Sequence, residues 1–204
     1  MYTQAATLPM PFDKQYYQRF YANPRTAVIT TGENRRRAEM IAAGVKYLEL
    51  PVRTILDAGC GMGLLRAPLK KAFPRAEYVG MEYSEYLCER YGWHHGSVAT
   101  WRTRQRFELV ICYDVLQYLD ERAAARAIAN LARWCRGVLY FSALTREDWR
   151  DNCDQSRTDK VPGLRPGRWY RQALQKHFDP LGCGLWIKRG APLSAWEMDK
   201  GARV

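Results

Sequence analysis

Asp57, Gly59, Gly61, Gly63 and Glu82 are the residues of this chain whose types and spacing point to chemistry. The short run Thr54–Leu56 ends in Asp57, and three glycines then alternate before a helix-like segment begins. Glycines so spaced let a strand turn sharply into a helix and let bare backbone approach a ligand closely. A second apolar run, Tyr78–Met81, ends at Glu82. An acid after the next strand suits the hydroxyls of a ribose, so the set points to a nucleoside held by an open α/β sheet. The dinucleotide fingerprint would place a third glycine where this chain has Leu64, and the fit is poor. A phosphate loop needs a Lys-Ser/Thr pair after its last glycine, and none follows here.

What remains is D-x-G-x-G-x-G from Asp57 to Gly63, which resembles motif I of the class I S-adenosylmethionine-dependent methyltransferases. The resemblance covers residues 50–143 well and the C-terminal part loosely. It implies a Rossmann-like α/β fold: a seven-stranded, mostly parallel sheet flanked by helices, with a C-terminal antiparallel hairpin. It also implies S-adenosyl-L-methionine as methyl donor and S-adenosyl-L-homocysteine as product. Carried over position by position, Asp57, Ala58, Gly59, Cys60, Gly61, Gly63 and Leu64 would wrap the methionine half of that cofactor. Glu82 would bridge its ribose hydroxyls and Tyr83 would flank the adenine. Gly96-Ser97-Val98 stands where many relatives carry Gly-Asp-Ala, so Ser97 replaces the acid that accepts the adenine amino group, with Val98 beside it. The run from Cys112 to Leu119 resembles the family's strand-four motif, which sets Cys112 and Tyr113 toward the methyl-bearing end.

Transfer of a methyl group from a sulfonium is an in-line displacement with a good leaving group. The protein must chiefly align nucleophile and methyl carbon in a dry site. A base is needed only if the acceptor is a protonated oxygen or nitrogen. The candidate catalytic residues are Tyr113, Asp114 and Gln117 after the fourth strand, with Tyr17 from an N-terminal lid. Tyr16 and Arg19 of that lid, with Trp149 and Arg165 of a later insert, are candidates for binding the acceptor, and Arg157 and Arg168 lie nearby in sequence. His94 and His95 precede the adenine segment and read as structural. His177 falls late in a helix, where a cation complements the dipole.

These residues need elements to position them. Asp13–Tyr21 reads as a short helix, and Thr30-x-x-Glu33 is a capping box opening a helix to Leu48. Strands are expected at Arg53–Asp57, Glu77–Glu82, Trp93–His95, Phe107–Cys112 and Val138–Phe141. Helices are expected at Leu64–Ala72, Ser84–Tyr91 and from Asp120 to a stop at Gly137. Tyr170, Leu174 and Phe178 recur at i, i+4 and i+8, so a helix is expected over Arg168–Phe178. Gly184–Lys188 and Leu193–Met198 read as the terminal hairpin. Residues 1–32 are expected to be the lid and 33–204 a single domain, with residues 144–167 an insert at the acceptor site.

Composition supports a folded chain: 204 residues, 47% hydrophobic and 13% aromatic. No apolar stretch approaches the ~20 residues of a membrane span, so no membrane partner is expected. The first dozen residues lack the basic start and apolar run of an export signal. The six cysteines contain no C-x-x-C, so neither a zinc site nor a disulfide framework is expected, and a cytoplasmic setting follows. The net charge of +11 is spread along the chain, and Arg35-Arg36-Arg37 reads as a solvated helix face.

The expected function is methyl transfer to a small-molecule acceptor. The absence of Asn/Asp-Pro-Pro-Tyr and of Pro-Cys after the fourth strand argues against adenine-amino and cytosine-C5 transfer. Two rivals stay open: an RNA (tRNA) methyltransferase, prompted by the charge, and a non-catalytic partner subunit that keeps the fold. Nucleic acid is the less favoured acceptor, no metal is expected, and the sequence leaves the oligomeric state open.

Overall fold

A computed structural model describes residues 12–22, 30–159, 161 and 163–201. The N-terminal helix α1 (Lys14–Tyr17) continues as a π-helical turn over Gln18–Ala22. Asp13 starts it by accepting a bond from the Tyr16 amide at 2.9 Å. Helix α2 (Thr31–Tyr47) opens on the expected capping box. Thr30 Oγ1 accepts from the Glu33 amide at 3.1 Å and Glu33 Oε2 accepts from the Thr30 amide at 2.7 Å. The parts of the expected lid at residues 1–11 and 23–29 lie outside the described residues.

Alternation of strand and helix follows. The elements are β1 (Thr54–Ala58), α3 (Arg66–Ala72), β2 (Glu77–Glu82), α4 (Glu85–Tyr91), β3 (His94–His95), β4 (Phe107–Tyr113), α5 (Glu121–Trp134) and β5 (Cys135–Ser142). Helices α6 (Arg146–Asp151) and α7 (Gly167–Leu174) precede β6 (Phe178–Gly182) and β7 (Leu185–Lys188). The sheet order is β3-β2-β1-β4-β5-β7-β6, and β7 runs antiparallel to both its neighbours. The order reverses between β1 and β4, which opens a crevice at the carboxyl ends of those strands.

The sheet is covered on both faces. In β4, Val110 and Cys112 pack into one apolar layer with α5 and α7. Leu109 and Ile111 pack into the other, with α2 and α3. That alternation is the period-two pleat of a strand buried on both sides, and it explains the unbroken apolar run in the sequence. At the far end of the sheet Glu108 accepts from the Thr54 amide at 2.8 Å and Thr54 Oγ1 at 2.7 Å, and pairs with Arg136. It thereby ties β1, β4 and β5 together, away from the crevice.

Two expectations are corrected here. The terminal hairpin is β6–β7, built from Phe178–Gly182 and Leu185–Lys188, not from Leu193–Met198. Cys183 and Gly184 form its two-residue loop, both with positive φ (49° and 78°), the geometry of a type I′ turn. Phe178 therefore belongs to a strand, and its helical spacing from Tyr170 and Leu174 is coincidental. Gly137 does not stop α5, which ends at Trp134. It sits inside β5, where a Cβ would lie 2.4 Å from the Glu108 carbonyl oxygen.

Candidate functional site

The crevice holds a cavity of about 500 Å³, within the ~300–1,000 Å³ usual for small-ligand sites. Its floor is the turn after β1. Gly59 and Gly61 have φ of +87° and +53°, a region most side chains avoid. A Cβ on Gly59 would strike Val115 at 2.3 Å, whereas one on Gly61 would meet nothing within 4 Å. Gly59 is thus bare so that the β1 and β4 loops can touch, and Gly61 lies open to the cavity.

Two buried acids flank this turn. Asp57 is 2% exposed and Glu82 is 6% exposed. Glu82 Oε2 accepts from the Gly61 amide at 2.8 Å, while Oε1 accepts from the Tyr83 and Ser84 amides at 2.8 and 2.9 Å. Asp57 accepts from the Tyr78 hydroxyl at 2.5 Å. Burial pushes the Asp57 carboxyl up to about 7 and raises that of Glu82. Among the described residues neither acid forms a salt bridge with a lysine or arginine. Two desolvated carboxyls that no described lysine or arginine pairs with suit a positively charged ligand.

Other expected cofactor positions fall into two groups. Cys60, Leu64, Tyr83, Ser97, Val98 and Tyr113 line the cavity together with Asp57, Gly59, Gly61 and Glu82. Ala58, Gly63 and Cys112 lie outside that lining. Ala58 and Cys112 are fully buried under the turn, and a Cβ on Gly63 would meet Trp93 at 2.6 Å. Trp93 in turn donates its indole N–H to the Gly61 carbonyl at 3.0 Å, so Gly63 shapes the loop from behind. The segment around Ser97 is held by a residue that local pattern did not single out. Asn130 of α5 donates to the Val98 and Ala99 carbonyls at 2.9 and 3.1 Å.

The acceptor-side candidates separate in the same way. Asp114 and Tyr113 line the cavity, and Asp114 has φ +54°, a backbone strain common at functional sites. Burial lifts its carboxyl to about 6, against hydrogen bonds from the Tyr113 and Gln117 side chains and the charge of Arg37. Gln117 is 3% exposed and outside the lining, and its Oε1 has no hydrogen-bond partner among the described residues. Tyr16 and Tyr17 are buried and line the cavity. Tyr21, absent from the sequence candidates, lines the cavity beside them, its ring centroid 5.5 Å from that of Tyr17.

Three candidates for binding the acceptor do not reach the cavity. Arg19 is exposed with its guanidinium 5.0 Å from the Phe20 ring, and Trp149 lies on α6; neither is in the lining. Arg165 is 8% exposed and bonds the carbonyls of Leu116 (3.0 Å), Gly163 (3.2 Å) and Leu119. It clamps residues 163–165 to the β4 loop instead of facing a ligand. Arg157 and Arg168 are exposed, as are His94 and His95. The insert reaches the lid through Asp159, which is 8% exposed. It accepts from the Tyr16 hydroxyl at 2.9 Å and the Tyr118 hydroxyl at 3.0 Å. Arg37 also lines the cavity, whereas Arg35 and Arg36 are exposed, which corrects the reading of all three as a solvated face.

Comparison with known proteins points the same way as the turn. A methyltransferase-domain family model matches residues 56–137, the span from β1 to β5 that builds the turn, both acids and Asp114. That match makes this span similar to the class I S-adenosylmethionine-dependent methyltransferases. It is 28% identical over 183 residues to a malonyl-[acyl-carrier protein] O-methyltransferase of Anoxybacillus flavithermus, covering 84% of this chain and 64% of that one. It is 32% identical over 108 residues to a trans-aconitate 2-methyltransferase of Methylobacterium radiotolerans, covering 50% of this chain and 41% of the relative. The chain thus spans less than two thirds of the length of each of these relatives. The methyltransferase fold is shared with the N-methyltransferase NodS from Bradyrhizobium japonicum, solved with S-adenosyl-L-homocysteine. The TM-score is 0.59 at 18% identity, over 86% of this chain and 97% of that one. Methyltransferases of this family use S-adenosylmethionine as methyl donor, and the unpaired acids beside the glycine turn fit such a cation.

Proposed function

We propose that the protein is an S-adenosylmethionine-dependent methyltransferase acting on a small-molecule acceptor, as the relatives named for malonyl-[acyl-carrier protein] and trans-aconitate suggest. The observation that carries this reading is the joined cradle. The acid ending β2 is bonded to the open glycine turn after β1, beside a cavity that continues to Asp114.

Asp57 and the amides of residues 59–61 would hold the methionine end, Glu82 the ribose, and Ser97 and Val98 the adenine. When bound, the sulfonium supplies an electrophilic methyl group. The chain's own part is to orient and dry the site. Tyr16, Tyr17 and Tyr21 close it with aromatic surface, and Tyr113 and Asp114 border the space left for the acceptor. A carboxyl at about 6 also takes up a proton near neutrality from an acceptor that must lose one.

Isothermal titration with S-adenosylmethionine and S-adenosylhomocysteine tests the reading. Wild type should bind both, and Asp57→Ala and Glu82→Ala should each weaken them at least tenfold. Unchanged affinity in both variants rejects the assignment.

A further inference from the structure

Arg37 is the one cationic side chain that α2 turns toward the crevice wall at the carboxyl end of β4. Its guanidinium stacks 3.9 Å from the Tyr113 ring centroid, and its Nε–H donates to the Tyr140 hydroxyl at 3.1 Å. These contacts fix the plane of the group and satisfy one donor. Nη1 is shut from water and has no hydrogen-bond partner among the described residues. No salt bridge there includes Arg37 either. Of the acids that line the cavity with it, Glu33 is held by Thr30 in the capping box, and Asp114 feels the charge of Arg37 without forming a salt bridge to it. A desolvated guanidinium edge without an acceptor is costly, and a planar oxyanion is its natural complement.

We propose that Arg37 receives the carboxylate of an acidic acceptor, and that this carboxyl group is what is methylated. The proposal rests on the methyltransferase reading above and names its substrate class. One unpaired cation matches the single charge of a carboxylate; a phosphate monoester would bring about two negative charges to a wall with one cation and Asp114 beside it. An amine acceptor would meet Arg37 as a like charge. In the transfer, one carboxylate oxygen bonds to the methyl carbon as that carbon's bond to sulfur breaks, and the electron pair stays on sulfur. An anion and a sulfonium become an ester and a thioether, and no proton has to move. The ester no longer carries the charge that Arg37 holds, which favours its release.

The test is calorimetric titration of the protein saturated with S-adenosylhomocysteine. The probes are succinate, benzoate and octanoate, each beside its methyl ester, with benzylamine and inorganic phosphate as further arms. The expected result is that at least one acid binds, its ester does not, and Arg37→Gln weakens the acid at least tenfold. S-adenosylhomocysteine affinity should stay unchanged in that variant, and Arg37→Lys should recover part of the loss. The proposal is overturned if no acid binds, if Arg37→Gln binds the acid as wild type does, or if benzylamine or phosphate outcompetes every acid. Should Arg37→Gln fail to fold, the wild-type pairs decide: an acid that binds no better than its ester is equally fatal. Failure of S-adenosylhomocysteine itself to bind wild type marks the different case in which the methyltransferase reading falls and takes this proposal with it.

Discussion

Glu82 Oε2 lies 2.8 Å from the Gly61 amide nitrogen, so the acid at the end of β2 is fastened to the turn that follows β1. The same carboxylate holds the start of the β2 loop through the Tyr83 and Ser84 amides. A single buried side chain thus fixes the spacing of two loops that line the cavity.

Replacing Glu82 with Gln exchanges one acceptor oxygen for a donor, which leaves either the Gly61 amide or the Tyr83 and Ser84 amides unsatisfied. The expected loss of stability is about 1–3 kcal/mol, measured by denaturant unfolding. Affinity for S-adenosylhomocysteine should fall in parallel, because the same change loosens the loops.

Asp57 makes the cradle sensitive to pH. Its carboxyl titrates at about 7 when folded and near 3.8 unperturbed, burial being the main cause. Between those values the unfolded chain releases a proton that the folded chain keeps. Its contribution to stability is therefore full below about 3.8 and is lost as pH rises through about 7. Binding a cation has the opposite sign, since it favours the ionised acid: affinity for S-adenosylmethionine should rise from pH 6 to pH 8 with proton release. Titrations in buffers of different ionisation heat will report that release, and Asp57→Asn should remove it.

Gly59→Ala tests the close approach of the β1 and β4 loops. The new methyl would fall 2.3 Å from Val115 Cγ2 at a φ of +87°, so contact and backbone are both strained. A loss of about 1–3 kcal/mol is expected in thermal or chemical unfolding, with Val115 pushed into the cavity and cofactor affinity reduced. Gly61→Ala meets open space and should cost less.

Glu108 supplies a control at the other end of the sheet. Glu108→Ala removes the acceptor for the Thr54 amide and hydroxyl, at a cost of about 2 kcal/mol, while the exposed Arg136 turns to solvent. Affinity for S-adenosylhomocysteine, measured below the unfolding range, should match wild type. A large drop would show that the two ends of the sheet are coupled.

The parts of the fold and site that are local in sequence were legible. The Asp57–Gly63 turn, the capping box at Thr30 and the buried strand β4 each depend on neighbours within a few residues. The hairpin was misplaced because Tyr170, Leu174 and Phe178 mimic a helical repeat, while the true signal was the Cys183-Gly184 turn. Asp159 was out of reach, since its partner Tyr16 is 143 positions away and no pattern near either predicts the bond. Arg37 was within reach. It lies three residues after Asn34 and one before Ala38, both buried on the inward stripe of α2, whereas Arg35 and Arg36 turn outward. Arg165 shows the converse: an arginine in a polar insert resembles a ligand-binding group until its carbonyl partners are seen.

The most direct measurement is a crystal structure of the protein with S-adenosyl-L-homocysteine. The ribose hydroxyls should lie on Glu82, the amino-acid end along residues 57–61, and the sulfur should be directed toward Tyr113 and Asp114. A ligand bound elsewhere, or one lying in the cavity without touching Glu82 and the Gly61 turn, would contradict it.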